Sequence, residues 1–317
     1  MVMKVGEKLS IRKVYGETLA ELGKTNANIV VVDADLSCST MTSLFAKEFP
    51  ERFFNVGIAE QDLMTTAAGL ACTGKIPFVS TFAVFAAGRA WEQIRNTIAY
   101  SNLNVKIAAT HGGITVGEDG ASHQALEDVS LMRSIPGMTV IVPADEKETQ
   151  EAIKFAANHN GPVYIRIART NLPDVVDSSY KFNLEKAIVM QEGKDVTLIT
   201  NGETLVETID CAKMLLEKGI SAEVINMPVV KPIDAETIIK SAKKTNRVVT
   251  IENHSIIGGL GSAVCEVLAE NHPVKINRIG TNDEFGQSGT AKELMKHYGL
   301  NSEKLAEKII GLIKWFN

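Results

Sequence analysis

Five short runs constrain this chain more than anything else in it. NIVVVDA (28–34), KIPFVST (75–81), VKIAAT (105–110), MTVIVPA (138–144) and PVYIRIA (162–168) are each almost continuously apolar. A strand with one wet face alternates apolar and polar side chains. A strand without that alternation is covered on both faces. Between these runs lie longer patterns of helical period, at about 7–24, 41–48, 58–73, 87–100 and 146–158. Alternating strands and helices of this kind predict an α/β fold, with a parallel sheet sandwiched between helical layers. In open sheets of this type ligands sit beyond the carboxyl ends of the strands. The stretches to read for chemistry are therefore DADLSCST, STFAVFAAGRA, ATHGGITVGEDGASHQ and IARTNLP.

The second half repeats the alternation in shorter form. Strands are expected at DVTLITNG (195–202), SAEVINM (221–227), RVVTIEN (247–253) and VKINRIG (274–280), with helices after each. The polar stretch RTNLPDVVDSSYKFNLEK (169–186) carries the proline, aspartates and serines of a connecting segment. The expected organisation is a first α/β domain over 1–170, a linker over 171–186 and a smaller α/β domain over 187–317. A chain of 317 residues has room for about two domains.

Composition removes several function classes. The net charge is −5 and no basic run stands out, which argues against nucleic acid as a partner. No stretch of about 18 apolar residues suggests a membrane span, and the start MVMKVGEKLSIRK does not read as a signal peptide. Four cysteines, at 38, 72, 211 and 265, are widely and irregularly spaced. Free thiols in a reducing cytoplasm are expected, with no disulfide framework and no structural metal site.

Glu60, in FFNVGIAEQD (53–62), opens an almost wholly apolar helical segment. An acidic residue is favoured at a helix N-terminus by the dipole alone. A carboxylate buried without a partner is costly, and no lysine or arginine lies close by in sequence, so a ligand nitrogen is the other candidate. Phe82 and Phe85 follow a strand and suit either core packing or stacking on a flat heterocycle. ATHGGITVGEDGASHQ brings four glycines, two histidines and an acidic pair into sixteen residues. Long glycine-rich loops are usually functional. His111 and His123 are candidate proton shuttles, and Asp119 is a candidate to hold a hydroxyl or orient an imidazole. Zinc is a weak rival, for want of a third local ligand. Arg12, Ser39 and Arg169 lie at the first helix and two strand ends, where arginine suits an anion such as phosphate. A solvated surface arginine remains the alternative for each. IGGLGSAV (257–264) reads as a tight turn into a helix, since a lone GxG is a weak dinucleotide signal.

Taken together, FFNVGIAEQDLMTTAAGLA, STFAVFAAGRAWEQI and THGGITVGEDGASHQALEDVSLMRSIPGMTVIVPAD resemble the pyrimidine-binding domain of transketolase. The second half resembles the transketolase C-terminal domain. The resemblance implies a thiamine diphosphate enzyme that moves a two-carbon ketol unit from a ketose phosphate to an aldose phosphate. Glu60 would take the place of the glutamate that shares a proton with the aminopyrimidine ring, favouring the tautomer that deprotonates the thiazolium carbon. Phe82 and Phe85 would line the pyrimidine, with Asp35 near the cofactor. Asp119 would read a donor hydroxyl, His111, Arg12, Ser39 and Arg169 would grip the sugar phosphate, and His123 would lie beside the reacting carbon.

Three departures bear on this. Gln61 follows the glutamate where histidine is frequent in the family, and Gly88 stands where an aromatic is common. No GDG motif occurs, although the diphosphate and magnesium of such enzymes need one, with a downstream asparagine. The resemblance therefore implies half an enzyme, with magnesium ligands on a second, N-terminal transketolase chain. Two copies of each would form a dimer of heterodimers, with much of the apolar surface around 58–100 at the interface. Rival readings are the beta subunit of a 2-oxo-acid dehydrogenase first component, a half of a deoxyxylulose-phosphate synthase, and a non-catalytic paralogue that only binds a partner. The hydroxyl- and phosphate-directed loop at 110–124 favours transketolase over the first of these.

Overall fold

The computed structural model describes residues 8–316. Two larger sheets form among them. The first holds seven strands in the order 229–231, 139–141, 163–167, 106–110, 76–82, 29–33 and 53–55. All its neighbouring strands run parallel except 229–231, which pairs antiparallel with 139–141. The second sheet has five strands in the order 275–281, 247–255, 196–200, 222–226 and 188–191, the last antiparallel to its neighbour. The chain is thus α/β, and each of its two larger sheets carries one antiparallel strand at an edge.

The apolar runs are buried on both faces, as their composition demands. Every residue of Ile29–Asp33, Lys106–Thr110 and Val163–Ile167 is buried. Successive residues point to opposite layers. Val32, Val79 and Ile107 pack with Leu63, Met64 and Ala67 of helix Glu60–Cys72. Val31, Phe78 and Ala108 pack instead with Tyr15 and Leu19 of helix Ile11–Thr25 and with Ile153 of helix Glu146–Asn158.

Several expectations shift in detail. The helix expected over 7–24 begins at Ile11, because Lys8–Ser10 is a short strand. Its partner is Asn171–Pro173, so the segment read as linker opens as ordered structure. The helical pattern at 87–100 is wound as π-type turns at Phe85–Arg89 and Ile94–Ala99 around a short α-helix. Wide turns of that type recur at functional sites. Elements not expected from the sequence include strands Phe53–Asn55, Ile188–Gln191 and Val229–Lys231, and helices Ser37–Thr40, Asp128–Arg133 and Ala291–His297, the last despite the capping box of Thr290 and Glu293 at its start. The three strands are too short to show a period. Most of the apolar surface at 58–100 is private core rather than interface: Leu63, Met64, Ala67, Ala87, Ile94 and Ile98 are all buried within the chain. Phe54, Ile58 and Tyr100 remain exposed. IGGLGSAV leads into helix Leu260–Asn271, and the Glu252 carboxylate accepts the N–H groups of Leu260 and Gly261 at 2.7 and 2.8 Å.

One buried acidic pair pins the connecting segment. Asp145 caps helix Glu146–Asn158 and also accepts the backbone N–H groups of Val175 and Val176 at 2.9 and 2.6 Å. Burial, and then the neighbouring Asp145, push the Glu148 carboxyl up to about 8 from a usual 4.5. Folding therefore favours its protonated form. That contribution is fully present below about pH 4.5 and is lost as pH rises through about 8. Replacing Glu148 with Gln fixes the neutral state. Denaturant melts across that window should show the wild type losing stability relative to Glu148→Gln as pH rises, by at most about 1.4 kcal/mol per pH unit.

Candidate active site

The C-terminal ends of the parallel strands deliver most of the residues singled out above to one edge of the first sheet. Strand Ile29–Asp33 ends in a turn built by Asp33, whose buried carboxylate accepts from Leu36 N at 2.6 Å, Thr40 Oγ1 at 2.8 Å and Thr42 Oγ1 at 2.9 Å. That turn holds Asp35 at φ 63 and leads to Ser39. Asn55, at the end of the neighbouring strand, exchanges two hydrogen bonds with Asp35, at 3.0 and 3.1 Å. The Ser39 carbonyl accepts from Arg12 Nη1 at 2.7 Å, which brings the first helix to the same edge. Arg12 Nε is buried with no hydrogen-bond partner among the described residues.

Strand Ile76–Phe82 delivers the aromatics. Phe82 and Phe85 stack at 5.8 Å, and Phe82 stacks on His111 at 3.8 Å. His123 meets Phe85 edge-on at 5.4 Å. Phe82 is only 7% exposed, so it backs His111 and Phe85 and offers little face of its own to a ligand. His111 follows strand Lys106–Thr110 in the left-handed region, at φ 62. A non-glycine residue held there is strained, as happens at functional sites.

Glu60 begins helix Glu60–Cys72 and is 2% exposed. The absence of a basic residue nearby in sequence does not leave it unpaired. Arg89, twenty-nine positions later, donates Nη1 to Glu60 Oε2 at 2.7 Å and lies over the Phe85 ring at 4.9 Å. Arg89 was the residue that sequence reasoning missed. Its place four residues after Phe85 in STFAVFAAGRA was the only signal available. Around this pair the surface is open: a Cβ added at Gly57 or Gly88 would meet nothing within 4 Å. Gln61 reaches only the Arg89 carbonyl, at 3.5 Å.

The glycine-rich loop brings His111, His123 and Arg169 into one electrostatic group with Arg12. Burial first, then the charges of Arg12, Arg169 and His123, lower the His111 pKa to about 3. That shift favours the uncharged ring near neutrality, and its Nδ1 lies 2.8 Å from Thr110 Oγ1. His123 Nδ1 lies 3.0 Å from Ser122 Oγ. Burial, and then Arg169, lower the Arg12 pKa, so the two guanidinium groups face a common region. Arg169 donates to the Val116 carbonyl and to Glu118 Oε2 at 3.2 Å. Asp119 is exposed on the loop. Among the described residues no group of three or more His, Cys, Asp or Glu could hold a metal ion. None of the helices there is long and apolar enough to cross a membrane.

Two family models match the chain: the transketolase pyrimidine binding domain over residues 7–175 and the transketolase C-terminal domain over residues 185–305. The chain belongs to the transketolase family. It is 53% identical over 317 residues to the "Putative transketolase C-terminal section" of Methanocaldococcus jannaschii, with 99% of each chain covered. It is 40% identical over 307 residues to one of the subunits of the apulose-4-phosphate transketolase of Phocaeicola vulgatus, covering 96% of this chain and 98% of that one. A solved structure described as "Split gene transketolase, inactive beta4 tetramer" matches at a TM-score of 0.90 and 52% identity, covering 96% of this chain and 99% of that one. Human transketolase is 37% identical over 314 residues, but that match takes in only 50% of its length.

The transketolase-type edge carries two measurable consequences. Arg89→Ala leaves the buried Glu60 without its cation. Equilibrium denaturation should show a loss of about 1–3 kcal/mol, below that of a fully buried pair because the Arg89 side chain is 51% exposed. Histidine NMR should show no titration of the His111 ring above about pH 5. The stability linked to that depressed pKa is present above about 6.5 and is lost as pH falls toward about 3.

Proposed function

We propose that this chain is the C-terminal subunit of a two-chain transketolase that moves a two-carbon ketol group from a ketose phosphate to an aldose phosphate. The observation that carries the reading is the Glu60 carboxylate. It is buried at the sheet edge beside Phe85 and the open surface of Gly57 and Gly88. A carboxylate, an aromatic face and glycine-bared backbone fit the pyrimidine half of thiamine diphosphate. For its diphosphate half the sequence offers no GDG motif. A second subunit carrying that motif and the magnesium ligands would complete the site. The relative described as an inactive β4 tetramer supports this division, as does the P. vulgatus relative, which is itself named as a subunit. The expected assembly is a dimer of heterodimers, with Phe54, Ile58 and Tyr100 among the apolar side chains it would cover.

Thiamine diphosphate, when bound, supplies the electron sink for carbon–carbon bond cleavage. This chain's residues bind and orient around it. Glu60 shares a proton with the ring nitrogen of the pyrimidine, and Arg89 would move aside or slide along the carboxylate to admit it. Phe85 gives the ring its apolar wall, with Phe82 behind. The Asp35–Asn55 pair fixes the turn beside the cofactor. Arg12, whose buried Nε has no partner among the described residues, joins Arg169 in holding the sugar phosphate, and the Ser39 carbonyl orients it. His111, kept neutral, supplies a hydrogen bond rather than a charge. His123, with Nδ1 engaged by Ser122, presents Nε2 to the substrate near the reacting carbon. Asp119, exposed on its loop, is free to accept a donor hydroxyl.

The test is reconstitution with the GDG-bearing chain, magnesium and thiamine diphosphate, comparing wild type with Glu60→Gln. The variant should assemble normally by gel filtration and lose at least about 100-fold in rate. Wild-type rates from an assembled Glu60→Gln complex would sink the assignment.

A further inference from the structure

Glu203 follows strand Val196–Thr200 of the second domain but directs its side chain into the first. It is 7% exposed. Its carboxylate accepts from Thr115 Oγ1 at 2.9 Å, from Thr170 Oγ1 at 3.0 Å and from Asn253 Nδ2. The first two donors come from the two segments that carry His111 and Arg169. Asn253, also in the second domain, accepts the Ile114 N–H on Oδ1 at 3.0 Å. Its backbone carbonyl accepts from Arg166 Nη2 at 2.9 Å. A Cβ at Gly112 would run into Arg166, and one at Gly113 into Asn253. The backbone just after His111 is thus pressed against a polar plug from the other domain.

Burying a carboxylate among hydrogen bonds is weak as a source of net stability. What it does well is fix direction, since a buried acceptor in a hydrogen-bond network holds each of its donors in one geometry. Here the three donors belong to three separate segments. His111 needs such support, because its left-handed backbone is a conformation that non-glycine residues rarely hold.

We propose that Glu203, acting with Asn253, is a positioning residue through which the second domain sets the substrate-binding geometry of His111 and Arg169. This rests on the reading of Arg12, His111 and Arg169 as the grip on the sugar phosphate. The second domain is then part of the specificity apparatus rather than a structural appendix. A purely cementing role would predict something different. It would lower the melting temperature of Glu203 variants and leave the kinetics of the folded fraction alone.

The experiment compares wild type, Thr170→Val, Glu203→Gln and Glu203→Ala in the complex reconstituted with the GDG-bearing subunit, magnesium and thiamine diphosphate. Two donors are used, a ketose phosphate and a short unphosphorylated hydroxyketone. Glu203→Ala should raise KM for the phosphorylated donor by about tenfold, with a smaller fall in kcat and a change of less than about twofold in KM for the unphosphorylated donor. Glu203→Gln, which keeps one acceptor oxygen, should recover part of that loss. Thr170→Val removes a single donor at constant shape and should lie between, and it decides the matter if Glu203→Ala does not fold. Equal KM changes for the two donors, or none in a folded variant, would overturn the proposal. If the wild-type complex turns nothing over, the transketolase reading is what has failed. Hydrogen exchange on the chain alone then tests the positioning. Thr170→Val and Glu203→Gln should speed exchange at 112–117 and 168–171 without changing strand 76–82, and unchanged exchange at those segments would overturn it.

Discussion

The buried pair of Arg166 and Asp128 is the contact on which the rest of the active edge depends. The two side chains meet at 2.9 Å and are 6% and 0% exposed. Arg166 sits on strand Val163–Ile167, Asp128 opens a short helix at the far end of the glycine-rich loop, and Tyr164 donates to Asp128 at 2.7 Å. Arg166 also donates to the carbonyls of Ala125 and Asn253, so one guanidinium joins sheet, loop and second domain. Its five donors in a rigid fork suit that task, and lysine could not span the same acceptors. Such a pair adds little net stability against an apolar replacement. Its consequence is geometric, since the loop between His111 and Asp128 is held at both ends.

That restraint explains how a long glycine-rich loop can be a precise surface. Gly112 and Gly113 let the backbone lie against Arg166 and Asn253, where any side chain would collide. Gln124 donates to the carbonyls of Ile114 and Gly117 and to Gln287 of the second domain, at 3.2, 3.3 and 3.0 Å. The loop is therefore packed between two domains rather than waving over one. Its electrostatics follow from that packing. Burial first, and then two guanidinium groups and a histidine, disfavour the charged His111 ring, while Arg12 retains a buried donor with no acceptor among the described residues.

Much of the fold was legible because period and burial carry the same information. NIVVVDA, VKIAAT and PVYIRIA could only be two-sided strands, and once parallel strands are granted, Asp35, Phe82, His111 and Arg169 must gather at their carboxyl ends. The three-residue strands escaped notice because a period of two cannot be read over so short a span. Val229–Lys231 also crosses from the second half of the sequence to pair with Thr139–Ile141, and no local signal marks a crossing. At the site, the sequence supplied Glu60 and the reason to expect a partner for it. It could not supply Arg89, because the search for a cation ran along the chain and the cation arrives across a turn of π-type winding.

By itself the sequence determined the layered α/β architecture, the sheet edge to which the strand ends lead and the residue types collected there, since these follow from hydrophobic period and strand order alone. Only the tertiary structure decided which charges meet. Glu60 finds Arg89, Glu203 reaches out of its own domain to Thr115 and Thr170, and His111 loses its proton affinity to burial and to two arginines distant in sequence. The physical reason is range. Hydrophobic period is a local property of a few residues, whereas the field at a buried group is set by whatever the fold brings within a few ångströms, regardless of separation along the chain.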